Sequence, residues 1–115
     1  MLFIEYPKCT TCKRAKSFLD SKKLKYDDRN IKEDNPKLEE LDSWIKLSSK
    51  DINSFFNTSG ISYRKLNLKD KLKTMTYDEK LKLLSSDGML VKRPILVLDT
   101  KVLVGFKIEE WENDI

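Results

Sequence analysis

Histidine is absent from this 115-residue chain, and cysteine occurs only twice. No apolar run is long enough to span a bilayer. The N-terminus enters a strand pattern at once, without a basic-then-apolar leader. Internal repeats, low-complexity tracts and linkers are missing as well. Each absence removes a class of function. Zinc takes four ligands, so with no histidine and no further cysteine only an intermolecular site would complete a shell around the cysteine pair, and no metal is expected. No membrane partner is expected. Without a targeting address the chain is expected to be cytoplasmic, where an isolated dithiol serves catalysis or sensing more often than structure. No helix-turn-helix pattern or aromatic stacking motif is present, so direct nucleic acid binding is not expected. The length suits a single domain over residues 1–115 with a real core, expected to be a monomer.

Charge is abundant. Charged residues make up 37% of the chain, and 23 basic against 19 acidic residues give a net charge of +4. The lysines are scattered along amphipathic segments, which describes a solvated surface. The modest basic excess also suits an anionic small substrate or glutathione.

The two cysteines stand as Cys9-Thr10-Thr11-Cys12. Leu2-Phe3-Ile4-Glu5-Tyr6 before them reads as a buried strand bounded by Pro7. Lys13 to Leu19 after them reads as helix. A thiol at such a strand-to-helix turn lies near unpaired backbone N–H groups and the positive end of the helix dipole, and both favour thiolate. Lys8, Lys13 and Arg14 add positive charge. The expected Cys9 pKa lies within the roughly 3.5–7.5 range of activated cysteines. Cys12 sits one turn further on, within reach of Cys9 for a short-loop disulfide. Two plainer roles compete. Cysteine packs as a small hydrophobe, but the polar neighbours Lys8, Thr10, Thr11 and Lys13 do not describe a core. A structural disulfide closing so short a loop would stabilise little.

The remaining pattern reads strand, helix, strand, helices, strand, strand, helix. The first strand covers residues 2–6 and the first helix about 11–21, with Ala15, Phe18 and Leu19 at helical spacing. Leu24-Lys25-Tyr26-Asp27 reads as the second strand, with Asp28 to Ile31 leading out of it. A polar turn at Asp34-Asn35-Pro36 opens a helix whose apolar stripe is Leu38, Leu41, Trp44, Ile45 and Leu47. Gly60 reads as a helix stop. Thr76 and Glu79 form a capping box, Leu81, Leu83 and Leu84 face inward, and Gly88 ends that helix. Arg93 to Leu98 reads as a buried strand entered through Pro94. Asp99-Thr100 turns the chain into an antiparallel strand from Lys101 to Gly105. Ile108 to Asn113 closes as helix. This order gives an α/β sandwich with helices against a mixed sheet.

Three stretches resemble the arsenate reductase/Spx family of thioredoxin-fold proteins. They are Tyr6 to Ala15 at the dithiol turn, Asn57-Thr58-Ser59-Gly60 with Tyr63-Arg64-Lys65-Leu66, and Lys92-Arg93-Pro94-Ile95 followed by Val104-Gly105-Phe106. The resemblance implies a thioredoxin-like mixed sheet flanked by helices, with a helical insertion at about residues 33–90. It also implies that Cys9 is the nucleophile, that Pro94 is a cis proline lying against the dithiol, and that Arg93 stabilises the thiolate or holds an anionic substrate. Arg64 matches a second family arginine more loosely. Lys8, Thr10, Thr11, Arg64 and Pro94 are candidate substrate contacts beside the catalytic candidates Cys9, Cys12 and Arg93.

The chain also departs from the family's patterns. Arsenate reductases of this kind have one cysteine at the turn and three arginines around the oxyanion. Here a second cysteine follows, and Gly105-Phe106 stands where the third arginine is expected. Spx-type members share the Cys-x-x-Cys pattern. This chain stops at Ile115 without the longer Spx tail, and residues 44–56 do not match the Spx segment that contacts RNA polymerase. The expected function is therefore a thiol–disulfide oxidoreductase acting on a small thiol or protein disulfide. Cys9 attacks, Cys12 resolves, and glutathione, thioredoxin or a similar thiol resets the pair with no bound cofactor. The alternatives are arsenate reduction with a thiol donor, and a redox-sensing transcription regulator that binds RNA polymerase in the manner of Spx.

Overall fold

Strand β1 (Leu2–Glu5) sits inside a four-stranded sheet, and its side chains alternate between two cores. In the computed structural model, which describes residues 1–115, it is flanked by β2 (Asp27–Asn30) and β3 (Ile95–Val97), with β4 (Val102–Val104) beyond β3. β1 and β2 run parallel, with Leu2 opposite Asp27; β3 is antiparallel to both β1 and β4. Period-two alternation sends Phe3, Leu96 and Leu103 to one face and Ile4, Ile95, Val102 and Val104 to the other.

The two faces carry different helices. Ala15 and Leu19 of α1 (Thr10–Ser21) and Trp111 of α6 (Ile108–Asp114) cover the first. Trp111 is wholly buried, stacks edge-on against Phe3, Phe18 and Phe106, and donates its indole N–H to the Gly105 carbonyl at 3.0 Å. The second face is covered by the segment between β2 and β3. That segment holds α2 (Leu38–Ser48), α3 (Ile61–Lys65), α4 (Leu68–Lys71), α5 (Tyr77–Ser86) and two short 3₁₀ turns. Leu41, Trp44 and Ile45 of α2 and Leu81 and Leu84 of α5 supply much of this larger core. The result is an α/β thioredoxin-like fold with its helix-rich excursion between β2 and β3. No helix is long and apolar enough to cross a membrane.

Local signals account for much of this. The Thr76–Glu79 capping box forms in both directions, at 3.1 and 2.8 Å. The hairpin closes where expected, with the Leu98 N–H donating to the Lys101 carbonyl at 2.8 Å. Four expectations need correction. The second strand begins at Asp27 rather than Leu24. Leu24 instead closes the end of α1, its N–H donating to the Leu19 carbonyl, and β2 is a polar edge strand with no apolar alternation to announce it. Leu47 lies off the buried stripe of α2 and is 38% exposed. Gly60 starts α3 instead of stopping a helix. Gly88 follows a helix that already ends at Ser86 and is capped by Asp87, and it opens a 3₁₀ turn.

Gly88 is required by a close approach. A Cβ there would stand 1.8 Å from the Ile31 carbonyl oxygen, a backbone atom just after β2. Gly88→Ala is expected to destabilise the fold by about 1–3 kcal/mol or more through overpacking. Urea unfolding of the two proteins, compared at equal slope, measures this.

Candidate active site

Cys9 is the N-cap of α1, with φ −87° and ψ 122°. Its own N–H is used by the Tyr6 carbonyl at 2.9 Å, and its carbonyl accepts from Lys13 at 3.0 Å. The Sγ then takes the place a serine or aspartate oxygen usually fills, accepting the Cys12 N–H at 3.4 Å. The loop Tyr6-Pro7-Lys8 therefore delivers the sulfur to the positive end of α1.

The two thiols are free and unequal. Cys9 is half-buried and Cys12 is wholly buried. Polar neighbours led the sequence to suggest a non-core setting for both. That holds for neither the burial nor the chemistry of Cys12, because α1 turns Lys13 and Arg14 outward and Cys12 inward. Burial pushes the Cys9 thiol up. The Cys12 thiol and N–H, then the hydrogen bonding and charge of Arg93, outweigh it and bring the Cys9 pKa below the ordinary thiol value. Burial first, and then the neighbouring Cys9, push Cys12 up to about 12 against a lowering hydrogen bond with the Tyr6 backbone. The arrangement favours the thiolate at Cys9 and keeps the proton on Cys12.

Arg93 comes to the same place from β3's entrance, where the Arg93–Pro94 peptide is cis. Its guanidinium lies 5.2 Å from the centre of the Tyr6 ring. Its Nη1 is buried with no hydrogen-bond partner. Cys9, Thr11 and Arg93 all line one cavity of about 770 Å³. Pro94 is buried behind them, and its carbonyl accepts the Gly105 N–H at 2.8 Å. Lys8 and Thr10 are exposed beside the turn and do not line the cavity. Arg64, in the last turn of α3, is exposed and points no group into it.

Sequence reasoning left out Asn57, Ser59, Lys92, Phe106 and Lys107, all of which line the cavity. Asn57 to Gly60, Lys92 and Gly105-Phe106 belonged to the stretches that carried the family resemblance, so a signal existed for them. Lys107 had none. Besides the dithiol turn, the walls come from three further stretches, about 56–62, 89–93 and 104–107, joined by the bridge between Phe56 and Val91 and by the β3–β4 hairpin.

The ArsC family model matches residues 4–113. This chain belongs to the ArsC family. Among solved ArsC-like structures, the putative ArsC family related protein from Bacteroides fragilis is 51% identical. It superposes with a TM-score of 0.96 over 97% of this chain and 94% of that one. The uncharacterized protein YusI of Bacillus subtilis (strain 168) is 46% identical over 99% of this chain and 97% of its own length. The regulatory protein MgsR of the same organism is 31% identical over 92% of this chain and 82% of its own.

Within this ArsC-family site, Arg93 is expected to hold part of the Cys9 shift. Arg93→Gln should move the inflection of the pH–rate profile for iodoacetamide alkylation upward by about one unit. Cys12 should stay unlabelled in both proteins, as peptide mass mapping would report.

Proposed function

We propose that this ArsC-family protein is a thiol–disulfide oxidoreductase. The observation that carries the proposal is the inequality of the two thiols across one turn of α1. Cys9 Sγ accepts the Cys12 N–H, its pKa is lowered, and it faces a cavity; Cys12 is buried and protonated. The Cys9 thiolate attacks one sulfur of a disulfide, forms a mixed disulfide and releases the other half as thiolate. Cys12 then loses its proton, attacks the Cys9 sulfur and expels the second thiolate. The protein is left with a Cys9–Cys12 disulfide, and two electrons have passed to the substrate. Thioredoxin, glutathione or another thiol reductant returns the pair to the dithiol. Arsenate reduction with a thiol donor would draw on the same Cys9 and Arg93, and arsenate belongs in the same assay as a competing substrate.

The likeness to MgsR, whose name marks a regulatory protein, favours a second reading. In it the same dithiol switches a binding surface, with RNA polymerase as the partner, instead of turning over substrate.

Coupled reduction of a model disulfide separates the two. Wild type is expected to turn over. Cys9→Ser is expected to lose all turnover, and Cys12→Ser is expected to accumulate a mixed disulfide visible by intact mass. Failure of wild type to turn over with either thioredoxin or glutathione, together with oxidation-dependent capture of RNA polymerase, would favour the switch.

A further inference from the structure

Arg93 is a buried cation without a carboxylate. It belongs to no ion pair, and its Nη1 has no acceptor. Burying a charge is costly unless something meets it. What meets this one is the ring of Tyr6, whose centre lies 5.2 Å from the guanidinium carbon.

The sheet brings the two side chains together. β1 and β3 pair antiparallel, with Phe3 opposite Leu96 and Ile4 opposite Ile95. Carried past the end of the ladder, the same register sets Tyr6 opposite Arg93, where cross-strand side chains meet. Alternation along β1 then decides what Arg93 faces. Tyr6 shares the face of Leu2 and Ile4 and packs against the larger core. Glu5, the acid next to it, turns to the other face, where Lys16 of α1 holds it at 3.4 Å. The neighbouring carboxylate is thereby turned away, and a neutral ring stands in its place.

That exchange matters to the thiol. A carboxylate on Arg93 would cancel the guanidinium charge and bring a negative charge toward Cys9, which opposes the thiolate. A ring attracts the cation through its quadrupole and carries no net charge, so the full charge of Arg93 remains to act on Cys9. It also leaves the guanidinium N–H groups free to donate. Arg93 uses both effects, hydrogen-bonding Cys9 and placing its charge there. The Tyr6 backbone is tied to the same turn, its carbonyl accepting the Cys9 N–H at 2.9 Å. A ring anchored to that turn fixes the guanidinium relative to the sulfur.

We infer that Tyr6 is a positioning residue of this site: its ring holds the Arg93 guanidinium beside Cys9 Sγ and leaves that charge uncancelled. The inference rests on the thiol–disulfide reading for the reaction that Cys9 performs.

The pH–rate profile of Cys9 alkylation by iodoacetamide tests it without any substrate. Tyr6→Leu is expected to raise the inflection by about half a unit, the size of a cation–π contact. Tyr6→Phe keeps the ring and is expected to recover most of that shift. In an Arg93→Gln protein, Tyr6→Leu should add nothing. An equal shift in that background would overturn the inference, because Tyr6 would then act on Cys9 without Arg93. So would an unmoved inflection in a Tyr6→Leu protein with a native-like amide spectrum. If Tyr6→Leu does not fold, position 6 is filled in turn with phenylalanine, monofluorophenylalanine and trifluorophenylalanine, which keep the ring's shape and drain its negative face. The inflection should climb along that series, and a flat series would overturn the inference. Coupled reduction of a model disulfide by wild type separates the two readings. No turnover with the shifts intact sinks the oxidoreductase and supports the place of Tyr6. Turnover with a flat series sinks the role of Tyr6 alone.

Discussion

The hydrogen bond from the Cys12 N–H to Cys9 Sγ joins the fold to its chemistry. A helix needs an acceptor for its first N–H groups. Here that acceptor is a sulfur, so the geometry that starts α1 is also the geometry that favours thiolate. The same turn of helix carries Cys12 downward into the core, where burial holds its proton. Helix propensity, capping and burial together set an order of acidity between two identical side chains three residues apart. Neither thiol would be distinguished from the other in an unfolded chain.

The rest of the molecule keeps that turn where it is. β1 and α1 are separated by only four residues, so the sheet's own register fixes the start of the helix. Trp111 and Phe106 pack beneath and beside α1, and Arg14 lies over the Phe106 ring at 5.7 Å. The excursion between β2 and β3 builds the opposite wall of the cavity. Its contribution reaches the site through Phe56, which bridges to Val91, and through the Lys92 N–H, which donates to the Phe55 carbonyl at 2.7 Å. The helical excursion thus sets the far side of the pocket at the end of the sheet that presents Arg93.

What was legible in the sequence follows from how local each feature is. The dithiol turn, the capping box at Thr76 and the Asp99-Thr100 hairpin each depend on a few adjacent residues, and each formed as expected. β2 was misplaced because an edge strand of Asp27, Asp28, Arg29 and Asn30 is held by pairing with β1 and by partners such as Glu40, which Arg29 grips at 2.8 and 2.9 Å. None of that shows as alternation. Gly60 and Gly88 were read as stops because a glycine in a sequence announces freedom. The structure uses Gly88 for the close passage of the Ile31 carbonyl, a contact between residues far apart in the chain. Cys9 and Arg93 were singled out from motif and resemblance, and the structure brings them to one cavity. Lys107 joins the site only because distant stretches of the chain meet around one cavity.

One turn of α1 sets the two thiols far apart in acidity. The direct test is to follow the ¹³Cβ resonances of Cys9 and Cys12 in the fully reduced protein across a pH titration. Cys9 should titrate below the ordinary thiol value of 9.0, while Cys12 should not titrate until about 12. Two cysteines titrating together near the ordinary value, or Cys12 ionising first, would contradict the account.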